Sequence, residues 1–251
     1  MKKQYQYKFI LLFLTLIFIS SCVSKKDMIY FQNDETISSE MHKNYAPKIQ
    51  TDDILNITVS AREPEAVIAY NLYQGGGQTT TTKPITYLVD NEGNITFPEL
   101  GKLKVSGLTT NQLKEDLIER LEVFITNPIV TIRLENFRVS ILGEVKSPGS
   151  YNLENEKVSI PEAIAMAGDL SIQGKRKNIL LLRNTDGKVE SIRLDLTDKS
   201  LFKSPYFYLA QNDIVYVEPN KAKVNSSAIG TTSSLISIAT ALLSLVLILT
   251  R

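Results

Sequence analysis

The sequence predicts an α+β protein: two small mixed domains followed by a C-terminal transmembrane helix. Three observations predict this. Short runs alternate apolar and polar residues, as half-buried strands do. Two capping boxes each open a helical stripe. Two stretches, Phe9–Val23 and Val224–Thr250, carry no acidic or basic side chain. The whole chain, 251 residues with 43% hydrophobic and 22% charged, matches a globular average. That average conceals a charged body between two uncharged ends.

The first 21 residues read as a signal peptide. Lys2, Lys3 and Lys8 precede an apolar core from Phe9 to Ile19. That core is too short for a membrane span, which needs roughly 20 apolar residues, and suits a secretory leader. Ile19-Ser20-Ser21-Cys22 resembles the bacterial lipobox. The resemblance implies acylation of Cys22 and cleavage before it, and Val23 at the next position favours outer-membrane sorting. Several acyl chains, at about 0.8 kcal/mol per buried CH₂, would hold the protein at a membrane. Residues 22–46 are polar and mixed in charge and read as a tether.

The body begins near residue 47. Leu55, Ile57 and Val59 alternate with Asn56, Thr58 and Ser60, marking a strand. Residues 71–83 hold Gly75-Gly76-Gly77 and four threonines, a loop with no following Lys-Ser/Thr to cradle phosphate. Asp90-Asn91-Glu92-Gly93-Asn94 forms a turn between strands at 86–89 and 95–97. Thr109 and Gln112 make a capping box; Leu113, Leu117, Leu121 and Phe124 then form one apolar stripe, and Asn127-Pro128 stops it. Residues 129–134 alternate again. In the next unit Val139, Ile141 and Val145 lead to a Lys146-Ser147-Pro148-Gly149 turn. Ser159 and Glu162 form the second capping box, of a short helix that Gly168 can end. Strands follow at 179–182, 189–194 and 214–217, with Asp186-Gly187 as a hairpin turn between the first two.

The last 27 uncharged residues would form a helix about 40 Å long, enough to cross a bilayer. Ser233, Ser237, Thr240 and Ser244, with Arg251 beyond, fall within about 40° of one line at 100° per residue. Leu235, Leu242, Val246 and Leu249 take the opposite face. A hydroxyl stripe of this kind suits a water-facing wall in a ring of helices. It suits tight helix packing equally, because small residues four apart let backbones approach.

Composition excludes several classes of function. The net charge is +1, and losing the leader leaves about −2, too little basic charge for nucleic-acid binding. One cysteine rules out an internal disulfide framework and a Cys-rich zinc site. One histidine, His42, would have to carry any His-based triad or metal site alone, and it stands in the polar stretch. Asp52-Asp53 and Asp90/Glu92 are the nearest to the paired carboxylates of glycosidases, yet both sit at strand starts or turn tips. No catalytic residue, cofactor motif or metal-ligand set is expected.

Several motifs match a known family. The run Ile49–Val59, the run Val89–Gly101 followed by Gly107-Leu108-Thr109, and Asn127-Pro128-Ile129-Val130 resemble the polysaccharide export domain. Leu142-Gly143-Glu144-Val145-Lys146-Ser147-Pro148-Gly149-Ser150-Tyr151, the segment Glu162–Gly168 and Asn212–Val217 resemble the β-grasp-like SLBB domain. In order and spacing they resemble Wza-type outer-membrane export lipoproteins. Two departures are Thr51, where relatives place a small turn residue, and the Gly/Thr loop, which resembles a local insertion. The expected organisation is a signal peptide at 1–21, a tether at 22–46, an export domain at 47–135, one SLBB domain at 136–219, and a linker with its helix at 220–251. One SLBB unit, where longer relatives carry two, implies a shorter periplasmic barrel.

The resemblance implies a ring homo-oligomer at the outer membrane. It would pass capsular or extracellular polysaccharide passively, without catalysis. Its implied partners are the polysaccharide chain, further copies of itself, outer-membrane lipid and an inner-membrane polysaccharide co-polymerase/tyrosine kinase. The alternative is a lipid-anchored SLBB protein that binds a saccharide or partner and forms no pore. With no tryptophan, and with Tyr151, Tyr206, Phe207 and Tyr208 read as core and loop residues, the chain shows no aromatic platform for sugar.

Overall fold

The computed structural model describes residues 25–32, 45–74, 83–185 and 187–226, together with residues 237, 240, 241 and 244. It is a mixed α/β protein of two domains. In the first, the alternating run becomes strand β1 (Ile54–Ser60), with Leu55, Ile57 and Val59 buried. It lies between β4 (Tyr87–Leu88) and β7 (Ile129–Leu134), both antiparallel to it. Two short pairs flank this sheet: β2 (Tyr73–Gln74) with β3 (Lys83–Pro84), and β5 (Asn94–Phe97) with β6 (Gly101–Lys104).

The strands beside the expected Asp90–Asn94 turn do not pair with each other. The Asp90–Asn94 turn forms, with the Gly93 N–H donating to the Asp90 carbonyl at 2.7 Å. The strands on its two sides nevertheless find other partners, β4 on β1 and β5 on β6. β6 escapes sequence reading because Gly101-Lys102-Leu103-Lys104 buries only Leu103.

Helix α1 (Thr110–Leu121) carries the complete capping box, with Gln112 N–H on the Thr109 hydroxyl and Thr109 N–H on the Gln112 side chain. Leu113, Leu117 and Leu121 are fully buried. Phe124, expected on the same stripe, is 62% exposed. The helix ends at Leu121, before the last turn that would have brought Phe124 onto that face.

The second domain is a five-stranded sheet in the order β11-β10-β12-β8-β9. Its strands are β8 (Arg138–Gly143), β9 (Gly149–Asn152), β10 (Gly174–Thr185), β11 (Lys188–Leu194) and β12 (Ile214–Pro219). All pairs are antiparallel except β12 on β8. Gly143 ends β8 at φ +88°, and a Cβ there would stand 2.1 Å from the Val217 carbonyl oxygen, so only glycine fits. Helix α2 (Ile160–Met166) opens with the Ser159/Glu162 capping box and buries Ile160, Ala163 and Ile164. One hydrophobic core runs through both domains, from Ile49 to Val217.

Polar bonds join the domains around Asn136. Its Oδ1 accepts from Ile54 N–H, its Nδ2 donates to the Asp52 carbonyl, both at 2.9 Å, and its own carbonyl accepts from Gln211 Nε2 at 2.8 Å. Among the described residues no helix is long and apolar enough to cross a membrane. The expected C-terminal transmembrane helix therefore finds no support there. Residues 221–226 are helical, as are 237, 240, 241 and 244, and the rest of 227–251 lies outside the described residues.

Candidate functional site

The two ends of the body meet on the second domain. On the N-terminal side, residues 25–32 dock onto that domain, although their composition is that of a tether. Phe31 N–H donates to the Leu196 carbonyl at 3.1 Å and Gln32 N–H to the Thr197 carbonyl at 2.7 Å. The Phe31 ring meets Phe202 at 5.0 Å. Tyr30 donates its hydroxyl to Asp169 at 2.6 Å, and Asp27 pairs with Lys177 at 2.7 Å. Burial, together with the hydrogen bond to Asp169, raises the pKa of the Tyr30 phenol. On the C-terminal side, Asn220 N–H donates to the Gln173 carbonyl at 2.7 Å, and the Asn220 side chain caps the next turn at Lys223 N–H, 3.0 Å.

Between these ends lies a cavity of about 510 Å³, bordered by Met28, Ile172, Lys175, Arg176, Lys177 and Lys221. A register shift in β10 between Gly174 and Ile179 shapes its wall. Gly174 is required there, since a Cβ would meet the Glu144 carbonyl oxygen at 2.8 Å. Two of the wall's four cations, Lys175 and Lys177, have carboxylate partners. Glu218 accepts from Lys175 at 2.9 Å and from Arg193; these bonds, Arg193 first, pull its carboxyl down to about 2. Arg176 differs. It is buried, its Nη1 donates to the Gly174 carbonyl at 3.0 Å, and its guanidinium lies 5.5 Å from the Tyr30 ring centre. Its Nε has no hydrogen-bond partner among the described residues.

A second, polar cleft of about 600 Å³ separates the domains, with Tyr45, Lys48, Gln50, Ser106 and Arg183 on its walls. Arg183 is held by Asp213, Nη2 to Oδ2 at 2.6 Å and Nε to Oδ1 at 3.1 Å. Burial opposes the Arg183 charge, but the hydrogen bonds and charge of Asp213 outweigh it, so the guanidinium pKa is raised. At the foot of the junction Asp53 is buried, and its Oδ2 accepts from Gln50 N–H at 2.8 Å. Loss of water pushes its carboxyl up to about 6.

The residues singled out from sequence are scattered. Cys22, His42 and Ser233 lie outside the described residues. Ser237, Thr240 and Ser244 are helical and exposed. Thr240 donates to the Ser237 carbonyl at 3.0 Å and Ser244 to the Ala241 carbonyl at 2.8 Å. Asp90 is engaged by its own turn, accepting from Glu92 and Asn94 N–H, and Lys102 covers both Asp90 and Glu92. Asp52 stands in the left-handed region at φ +66°. Phe207 is in the core, and Tyr208 stacks on Tyr45 at 4.9 Å. Among the described residues, no three His, Cys, Asp or Glu side chains group to hold a metal. Sequence reading missed Arg176 and Tyr30. The Lys175-Arg176-Lys177 run was visible, but its partner Tyr30 lies far away along the chain.

Two family matches divide the body as its two sheets do. Residues 41–135 match the polysaccharide biosynthesis/export protein family, and residues 137–217 match the SLBB domain. In domain content and order the chain is similar to Wza-type polysaccharide export proteins. Two relatives are each named "EPS I polysaccharide export outer membrane protein". The protein from Ralstonia solanacearum is 28% identical over 184 residues, which cover 69% of this chain and 48% of the relative. The protein from Ralstonia nicotianae is 29% identical over 184 residues, covering 68% and 47%. The chain thus spans about half the length of the curated relatives it matches.

Proposed function

We propose that this protein is a subunit of an outer-membrane conduit for extracellular or capsular polysaccharide, acting without catalysis. The observation that carries the reading is the pair of family domains, export then SLBB, in unbroken order over residues 41–217. The names of the Ralstonia relatives agree in substrate class and in membrane. Acylated Cys22 would anchor the chain, and the uncharged run from Val224 would supply the membrane element.

The arrangement of the ends supports an orientation. Residues 25–32 and residues 220–226 leave the second domain beside one cavity, so anchor and tail reach the same membrane together. The second domain then faces the membrane and the first points into the periplasm, toward an inner-membrane co-polymerase/kinase partner. Subunits would join as a ring, with Ser233, Ser237, Thr240 and Ser244 facing its water-filled centre or a neighbouring helix. The chain has no nucleotide motif, so energy would come from the partners.

Imaging the full-length protein extracted from membranes tests the proposal. Closed rings, together with loss of secreted polysaccharide when residues after 224 are removed, are the expected result. Uniform monomers with secretion intact would reject it and favour the anchored binding protein.

A further inference from the structure

We infer that the cavity around Arg176 is a binding site for the phosphate of an anionic phospholipid. The inference rests on the orientation proposed above, in which this end of the second domain meets the membrane. A guanidinium removed from water needs an anion or a full set of hydrogen-bond acceptors. Arg176 is 8% exposed and, among the described residues, makes no ion pair. It donates to the Gly174 carbonyl and lies against Tyr30, whose phenol also feels its charge and hydrogen bond, while its Nε has no partner among the described residues. The Asp169 carboxylate is occupied by the Tyr30 hydroxyl instead.

The surrounding wall shows which anion fits. Lys177 is neutralised by Asp27, and Lys175 by Glu218. That leaves Arg176 and Lys221, the latter without an ion pair among the described residues, on a cavity of about 510 Å³. Two cations without an ion pair among the described residues suit the oxygens of a phosphate diester, Lys221 as a point charge and Arg176 through the part of its guanidinium not bonded to Gly174. The lining also holds Met28 and Ile172, and Ile172 is 67% exposed. An apolar lip beside a cationic floor matches a lipid, whose acyl chains adjoin its phosphate, better than free phosphate. The chain's two membrane-directed ends emerge at the same lip.

Titration of the full-length, detergent-solubilised protein by calorimetry tests the site. The probes are dihexanoylphosphatidylglycerol, dihexanoylphosphatidylcholine and inorganic phosphate. Saturable binding of the glycerol lipid is expected, at least tenfold tighter than either of the others. Arg176→Met should weaken it at least tenfold and the surface variant Lys221→Gln several-fold. Equal affinity for inorganic phosphate would overturn the lipid source. Equal affinity for the choline lipid, or unchanged binding in the Lys221→Gln protein, would overturn the site. Rings and secretion are scored separately. Absent lipid binding in a protein that still forms rings and exports rejects this site alone. Lipid binding in a protein that forms no rings rejects the conduit and keeps the site.

Discussion

Arg183 and Arg176 stand on the same strand, β10, and both are largely withdrawn from water, yet their surroundings differ. Arg183 has a fully buried carboxylate, Asp213, in a two-point grip, and Asp213 also accepts from Ala210 N–H at 2.8 Å. Arg176 has a carbonyl, a ring and an unsatisfied Nε. The first arrangement is closed: every charge is answered inside the domain, so it holds β10 to the loop before β12. The second is open: among the described residues no carboxylate answers the Arg176 charge, which lies beside a cavity. Asp53, at the domain junction, lies between them, with one oxygen bonded to Gln50 N–H and the other without a partner among the described residues.

The sharpest way to break the comparison is Arg183→Met. It would strand the Asp213 charge in the core, and we expect a loss of about 3–5 kcal/mol in urea unfolding. A loss below 1 kcal/mol would show that the pair is not the closed unit described.

Asp53 gives the next largest effect, and it depends on pH. Its folded pKa, about 6, lies above the unfolded value of 3.8. The folded state therefore holds the proton more tightly between those values. Its contribution is favourable at low pH and is lost as pH rises through about 6. This amounts to about 2–3 kcal/mol between pH 4 and pH 7. Thermal unfolding across that range should show the slope in the wild type and lack it in Asp53→Asn. Identical slopes would remove the buried carboxylate from the account of the junction.

Smaller effects come from the helix starts. Thr109→Ala and Ser159→Ala each remove a reciprocal cap and should cost about 1 kcal/mol, measured by urea midpoint. Arg176→Met should be the mildest, changing stability by less than about 1 kcal/mol because no buried carboxylate is left behind. A large loss there would mean that Arg176 is structural like Arg183.

Legibility from sequence followed the range of the interactions. Both capping boxes were readable because their bonds span three residues, and so was β1, because alternation over seven residues sets its faces. Phe124 misled because periodicity continues past the point where the helix backbone stops. The partners of β4 and β5 were unreadable, since the choice depends on what β1 and β6 offer, not on the turn that joins them. Of the candidate site, the cations were visible as a run, but their state of pairing was not.

By itself the sequence determined where helices begin, which strand faces are apolar, which family the body resembles and which stretches lack charge. These are properties of neighbours along the chain. The tertiary structure alone decided that residues 25–32 return to the second domain and that the tail leaves beside them. It alone left one buried arginine without a counterion among the described residues while giving another a full one. The reason is physical: a buried charge is satisfied by whatever the fold brings within hydrogen-bonding distance. For Arg176 that is Tyr30, 146 residues away, and for Arg183 it is Asp213, just before the neighbouring strand β12.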